Sequence, residues 1–218
     1  MHLREDQVFM EMSATMGTAS LVRLAWVLPV AYLAGSLNFS ILLFRLLGKE
    51  DPRKHFSGNP GVTNVYRQAG WPAAALVLVL DMGRAAAVAL LARSCLAEPL
   101  VPWAGWAMIL GNHFPCLHGF KGGKGVANFL GFCAVLLPLG TLVSLGAYLM
   151  VFALVRIPFL ASFGMLAVLT AFGVRLWWPD PLGVAALLTT AGSIVWFHRS
   201  NIAGWVADRK KRGKPDAA

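Results

Sequence analysis

The sequence predicts an all-α, polytopic integral membrane protein of about seven transmembrane segments with glycine-rich cytoplasmic loops, and three observations carry that prediction. Hydrophobic residues make up 57% of the chain and charged residues only 13%, against about 25% charged in an ordinary soluble domain. The apolar residues lie in runs long enough to cross a bilayer, which takes roughly 20 residues of helix. The cationic residues behind the net charge of +9 flank those runs instead of forming a basic domain. The charge therefore reads as positive-inside bias and not as a nucleic-acid surface.

Residues 1–20 hold Glu5, Asp6 and Glu11 and no apolar core, so they do not read as a cleavable signal. They are expected as an N-terminal extracytoplasmic segment, ahead of a membrane domain at 21–205 and a basic cytoplasmic tail at 206–218. The first span is expected from Leu21 to Leu47 and serves as an uncleaved signal anchor. The second runs from Ala73 to Leu96 and the third from Trp103 to Leu117. The stretch from Val126 to Val155 is too long for one span and contains Pro138, which disfavours helix just before itself. It is split there into a short fourth segment, tilted or partly re-entrant, and a fifth. The sixth runs from Ile157 to Trp178 and the seventh from Leu182 to Phe197.

An odd number of segments puts the termini on opposite sides. With the C-terminus inside, the inner segments hold Arg45, Lys49, Arg53, Lys54, Arg67, Lys121, Lys124, Arg156, Arg199 and the cations of the tail. The outer turns near Glu98, Pro138 and Pro179 hold none, which places the C-terminus in the cytoplasm. Trp103, Trp106, Trp177 and Trp178 fall at outer helix ends, where aromatic belts form. The tail from Asp208 is expected to be solvated and poorly ordered, with its basic run against anionic head groups. Cys95, Cys116 and Cys133 sit in apolar surroundings at spacings that suit neither zinc nor disulfides, and read as small hydrophobes.

Two inner loops carry the chemistry. One holds Ser57-Gly58-Asn59-Pro60-Gly61-Val62-Thr63-Asn64 and the other Gly119-Phe120-Lys121-Gly122-Gly123-Lys124-Gly125. Glycines let backbone N–H groups converge on an anion, and lysines add point charges suited to phosphate. Neither loop is a nucleotide motif, because Lys124 is followed by Gly125 and not by Ser or Thr. Asp81 and Arg84, three apart, are either an ion pair or a carboxylate beside an arginine that faces the anion site. His198 and Asn201, three apart at the end of the last span, share a face, and histidine suits general base work. His113, His118 and His55 stand beside the loops and compete for that role. No metal cluster, serine elbow or His-Asp pair at five-residue spacing is present in the sequence.

Together these residues resemble the bacterial acyl-phosphate:glycerol-3-phosphate acyltransferases, from about Tyr32 to Asn201. The resemblance rests on Gly35-Ser36-Leu37-Asn38-Phe39-Ser40 with Arg45; on Asp51-Pro52-Arg53 and Ser57 to Arg67; on Phe114-Pro115 and Phe120 to Ala127; and on His198-Arg199-Ser200-Asn201-Ile202. It implies a seven-span enzyme of the inner membrane. Such an enzyme moves a fatty acyl group from acyl phosphate to the 1-hydroxyl of glycerol 3-phosphate, with no metal or other cofactor, at the start of phospholipid synthesis. Membrane lipid surrounds it, and other enzymes of that synthesis are its natural partners. By resemblance, the loop with Ser57, Gly58, Asn59, Gly61, Thr63 and Asn64 takes glycerol 3-phosphate. Ser36, Arg45 and Lys124, supported by Lys121 within Gly122, Gly123 and Gly125, take phosphate. Arg84 and Ser162 contact substrate, and His198 and Asn201 orient the acceptor or remove its proton. The chain differs from the family pattern at Asn112, Phe56, Arg84, Phe159 and Ser200, where a closed-up Gly-His pair, Gly, Lys, Ser and Glu are usual. The residues alone leave two other readings open: a non-catalytic paralogue that binds phospholipid precursors, and a transporter of phosphorylated metabolites.

Overall fold

The computed structural model describes the backbone of residues 2–212 and the side chains of residues 17–210. Among these the regular structure is helical: α1 (His2–Ser36), α2 (Phe39–Leu46), α3 (Val62–Cys95), α4 (Val101–His113), α5 (Val126–Leu136), α6 (Pro138–Val155), α7 (Pro158–Trp177), α8 (Pro181–Phe197) and α9 (Arg199–Arg212), with single 3-10 turns at Pro52–Lys54, Glu98–Leu100 and Cys116–His118.

The starts of the helices follow local chemistry. Proline opens α6, α7 and α8, where its missing N–H costs nothing. Asp180 caps α8 by accepting from Leu182 N and Gly183 N. Asn38 caps α2 by accepting from Ile41 N at 3.2 Å. That cap marks a break inside the expected first span: α1 ends at Ser36 and α2 restarts at Phe39, because an N-cap residue sits in extended backbone and interrupts the helix, while Gly17–Leu46 still reads as one span.

Other boundaries differ too. Helix α1 already begins at His2, although its apolar, span-like part starts at Gly17. Helix α3 begins at Val62, well before Ala73, and takes Thr63 and Asn64 out of the loop. Its interior is broken at Gly70 (φ 77°), two residues before Pro72, the combination that kinks helices. Helix α4 stops at His113, short of Leu117, because Pro115 follows. The chain is cut at Leu137–Pro138 as expected. The expected disordered tail is instead helical through Arg212, where Arg209 lies over the Trp205 ring one turn earlier. Residues 213–218 of that tail lie outside the described residues.

Among the described residues, four segments are long and apolar enough to cross a membrane: Gly17–Leu46, Val62–Cys95, Pro138–Val155 and Pro158–Trp177. A fifth arises if α8 and α9, bent by 49°, count as one. Helix α5, with 11 residues, spans only about 16 Å, and α4 is little longer. These two short helices form the middle of the molecule. Helix α4 packs on α1 and α8, and α5 on α3. The α1–α4 crossing is close because Gly35 lies against Met108 O and Gly111 against Tyr32 O, where a Cβ would overlap backbone. Such small-residue approaches are how helices associate without a hydrophobic drive. Val27, Ala31, Met108, Ile109, Phe129 and Leu169 fill the interior. Leu142, Leu149, Leu154, Val79 and Leu90 are exposed, as a lipid-facing surface requires. Trp177 is buried, and its indole N–H donates to Glu98 O at 3.1 Å, which ties two turns at one end of the bundle.

Candidate active site

The site is built where the lysine loop meets the ends of α4, α8 and α9. The loop is held as a fixed shape. Gly123 N donates to Asn112 O at 2.9 Å, Gly122 N to His113 O at 3.0 Å and Phe120 N to Pro115 O at 2.9 Å. A Cβ at Gly122 would overlap Asn112 O, and Gly125 has φ 85° against the Ile109 side chain. These glycines are therefore required by closeness and by backbone sign. Asn112, one of the departures from the family pattern, is buried and supplies part of this seat.

The loop delivers Lys124 to Asn201, whose side-chain oxygen accepts from the ammonium. Burial lowers the Lys124 pKa to about 8. His198, the C-cap of α8, is buried. Its Nδ1 lies 2.8 Å from Ile194 O, and because a carbonyl only accepts, Nδ1 carries the proton and Nε2 of the neutral ring is left as an acceptor. The ring lies within electrostatic reach of Lys124. Phe163 packs edge-on against it (centroids 5.2 Å) and Phe159 lies more nearly parallel (6.5 Å). Phe159 thus sets an apolar wall beside the imidazole. Sequence reasoning paired His198 with Asn201 by spacing, and the structure adds Lys124 to the pair.

His113 has a different role. Its Nδ1 donates to Gly123 O at 2.8 Å, and its ring stacks on Phe197 at 3.5 Å. It fixes the loop to α8. His118 Nε2 is buried without a hydrogen-bond partner. Burial first, then the charges of Arg53 and Arg45, hold its imidazole below the usual histidine range. Arg45 therefore lies near this edge, exposed. His55 pairs with the exposed Glu50 at 2.8 Å.

The residue that joins the two loops is Arg53, to which sequence reasoning gave no role. Its Nε and Nη2 bind the Asp51 carboxylate at 2.9 and 2.6 Å, and its Nη1 donates to His118 O at 2.7 Å and Lys121 O at 2.9 Å. The Arg53 guanidinium beside Asp51 holds that carboxyl below its usual range. Ser57, Gly58 and Thr63 are exposed, and Asn59 and Gly61 are half-buried. Thr63 and Arg67, four apart in α3, share a face. Arg67 lines an open cleft of about 380 Å³ with Lys49, Glu50, His55 and Phe56. It is a second cation that the sequence showed without assigning.

Four expected contacts have other places. Asn64 is buried and donates to Pro52 O at 2.9 Å and His55 O at 3.2 Å; it shapes the first loop from within. Ser36 is fully buried, donates to Tyr32 O at 3.0 Å and accepts from the Cys116 thiol at 3.5 Å, so its hydroxyl is turned into the α1–α4 contact. Arg84 is buried against Asp81 (2.9 Å), Asn128 (2.6 Å) and Phe39. It makes the ion pair that the spacing allowed and bridges α3 to the first turn of α5. Ser162 donates to Pro158 O at 3.0 Å within its own helix. Lys121 is exposed and Gly123 buried. Among the described residues there is no group of three metal-ligating side chains.

Fold and site define an all-helical membrane protein with phosphate-suited cations, a histidine acceptor and two glycine loops collected at one edge. The comparisons make the class specific. The family model "Glycerol-3-phosphate acyltransferase" matches residues 25–208. The glycerol-3-phosphate acyltransferase of Azotobacter vinelandii is 40% identical over 190 residues, 86% of this chain and 99% of that protein. That of Pseudomonas putida KT2440 is 38% identical over 85% of this chain and 98% of its own length. Two crystal structures of PlsY, an integral membrane glycerol 3-phosphate acyltransferase, are similar at 30% identity over 85% of this chain and 93% of theirs. The glycerol 3-phosphate form has a TM-score of 0.79 and the lysophosphatidic acid form 0.77. The chain belongs to the glycerol-3-phosphate acyltransferase family and is a membrane-integral acyltransferase.

Proposed function

We propose that the protein transfers a fatty acyl group from acyl phosphate to the 1-hydroxyl of glycerol 3-phosphate, releasing lysophosphatidic acid and phosphate. The observation that supports the site assignment is the Lys124–Asn201 contact, with His198 within electrostatic reach of Lys124.

The acceptor hydroxyl oxygen attacks the acyl carbonyl carbon and a C–O ester bond forms. The anhydride C–O bond breaks, and phosphate leaves with the electron pair. The hydroxyl proton passes to His198 Nε2, or directly to the departing phosphate. Acyl phosphate is already activated, so holding the two groups together and stabilising the leaving charge supply much of the rate. Lys124 binds the donor phosphate, with Lys121 and Arg45 at the rim; the loop's own N–H groups hold its shape. Ser57 to Thr63, with Arg67 on the same side, bind the glycerol 3-phosphate anion. Asn201 orients both Lys124 and the acceptor. Ser36, Asn64 and Arg84 hold the scaffold. The acyl chain lies among the helices.

The same reading gives the chain seven membrane segments, α4 and α5 contributing two short ones, in the inner membrane. The lysine loop and the C-terminus face the cytoplasm and the N-terminus faces outward, as the distribution of Lys and Arg supports. The test is phosphate release by the purified protein in lipid from palmitoyl phosphate. Release that needs glycerol 3-phosphate and equals the lysophosphatidic acid formed is expected; release indifferent to the acceptor overturns the assignment.

A further inference from the structure

The last helix is set apart from the bundle. Helix α9 turns 49° away from α8 at His198 and so leaves the direction of the span. Its Ile202, Trp205 and Val206 follow the i, i+3, i+4 spacing of one apolar stripe, and Arg209 continues that face as a cation. Val206 is exposed, and the half-buried Trp205 meets the Phe159 ring edge-on (6.5 Å). Arg199 lies over Trp196 (4.2 Å) and Arg209 over Trp205 (4.4 Å), so two guanidinium groups are carried on indole rings. Arg209 and Lys210 are exposed, and the sequence continues with Lys211, Arg212 and Lys214, five cations in all with Arg209 and Lys210, against the two acids Asp208 and Asp216. A helix with a short apolar face anchored by one Trp and with a basic end suits a bilayer surface, where its cations match acidic head groups. The first turn of the same helix carries Asn201, the partner of Lys124.

We propose that α9 docks on anionic phospholipid head groups and that this contact sets the tilt that keeps Asn201 on Lys124. The occupant follows from charge complementarity and from position, since α8 places the start of α9 where a span ends. The coupling to turnover rests on the acyltransferase reading above; the docking does not.

The experiment compares the full-length protein with a double variant, Arg209→Gln and Lys210→Gln, neither of them a site residue. Each is placed in nanodiscs of phosphatidylcholine alone or mixed equally with phosphatidylglycerol. Retained lipid is read by native mass spectrometry after partial delipidation, and turnover is read as phosphate release. The wild type is expected to retain phosphatidylglycerol over phosphatidylcholine and to turn over several-fold faster in the mixed discs. The variant is expected to lose both differences while keeping wild-type turnover in phosphatidylcholine. Equal retention by wild type and variant overturns the docking. Lost retention with an unchanged turnover ratio overturns the coupling. If neither protein turns over in any disc, the acyltransferase reading has failed, and the retention arm still decides the docking.

Discussion

The two glycine loops look alike in sequence and differ in structure. In the lysine loop, backbone bonds to Asn112, His113 and Pro115 fix the turn, His113 fastens it to Phe197, and Lys124 is drawn into a partly buried place. In the first loop, Ser57 and Gly58 stay exposed, and order comes from below, through Asn64 and the Asp51–Arg53 pair. A preorganised loop suits the point where charge develops in the reaction, because no reorganisation is then needed. A more open loop suits a substrate that must enter from water and leave as part of a lipid. Arg53 connects the two, fixing one to the carbonyls of the other.

The strongest break of this comparison is at the fixed loop. His198→Ala should lower kcat by about 100- to 10,000-fold if Nε2 takes the proton. Lys124→Ala should cost about 100- to 1,000-fold, the usual loss for one donor at a developing anion. Equivalent substitutions at Thr63 should raise KM and leave kcat closer to wild type. Full kcat in Lys124→Ala would remove the contrast between the loops. The measurement is steady-state kinetics in both substrates.

Removing the connector is next. Arg53→Ala leaves both loops intact but frees the carbonyls of His118 and Lys121. A displacement of about 1 Å at the reacting groups can cost about 100-fold, and a loss of that order in kcat/KM is expected. Arg53→Lys should not restore it, since a point charge cannot serve Asp51 and two carbonyls as a guanidinium fork does. A structural defect alone would lower the amount of folded protein; a positioning role lowers kcat/KM per folded molecule.

A smaller effect comes from pH. Burial brings Lys124 to a pKa of about 8 in the free protein, so its charge is present below that value and lost above it. The kcat/KM for acyl phosphate should fall about tenfold per unit above pH 8. Lys124→Arg, charged throughout, should flatten that limb even at a lower rate. In stability the sign reverses. A lysine whose folded pKa is lowered binds fewer protons folded than unfolded between about 8 and 10.5, so its contribution to stability rises with pH across that window. A flat alkaline limb in the wild type would mean that Lys124 is not the group that binds phosphate.

How legible all this was in the sequence depends on range. The apolar runs, the break at Pro138, the two loops and the His198–Asn201 pair are local patterns and read directly. The Asn38 break is local as well: an asparagine ahead of Phe39-Ser40-Ile41 is an N-cap signal inside what looked like a continuous span. Arg53 escaped because its acceptors are backbone carbonyls more than 60 residues away, and backbone leaves no mark in sequence. The Asp81–Arg84 pair is legible as an i, i+3 ion pair; Ser36 is assigned to phosphate by the family resemblance alone, and the packing that turns these side chains toward Asn128 and Cys116 is long-range and leaves no mark in sequence.

The smallest predicted effect separates the loops by strain. Phe56 holds φ 52° and Phe120 φ 57°, the left-handed region, which costs a side chain about 1–2 kcal/mol. Phe56 stands where the family pattern has glycine, and it is 70% exposed, so little burial offsets the strain. Phe56→Gly relieves that cost but adds roughly 0.5–1 kcal/mol of chain entropy to the unfolded state. A net gain of about 0.5–1 kcal/mol remains, a rise of about 2 °C in Tm for a chain of this size. Phe120→Gly carries the same backbone relief, yet it sits between Gly119 and Lys121 in the loop that depends on a fixed shape. It should gain no more stability than Phe56→Gly and should lose activity, while Phe56→Gly keeps it. If both variants behave alike, in Tm and in kcat, the two loops are equally rigid and the distinction drawn between them fails.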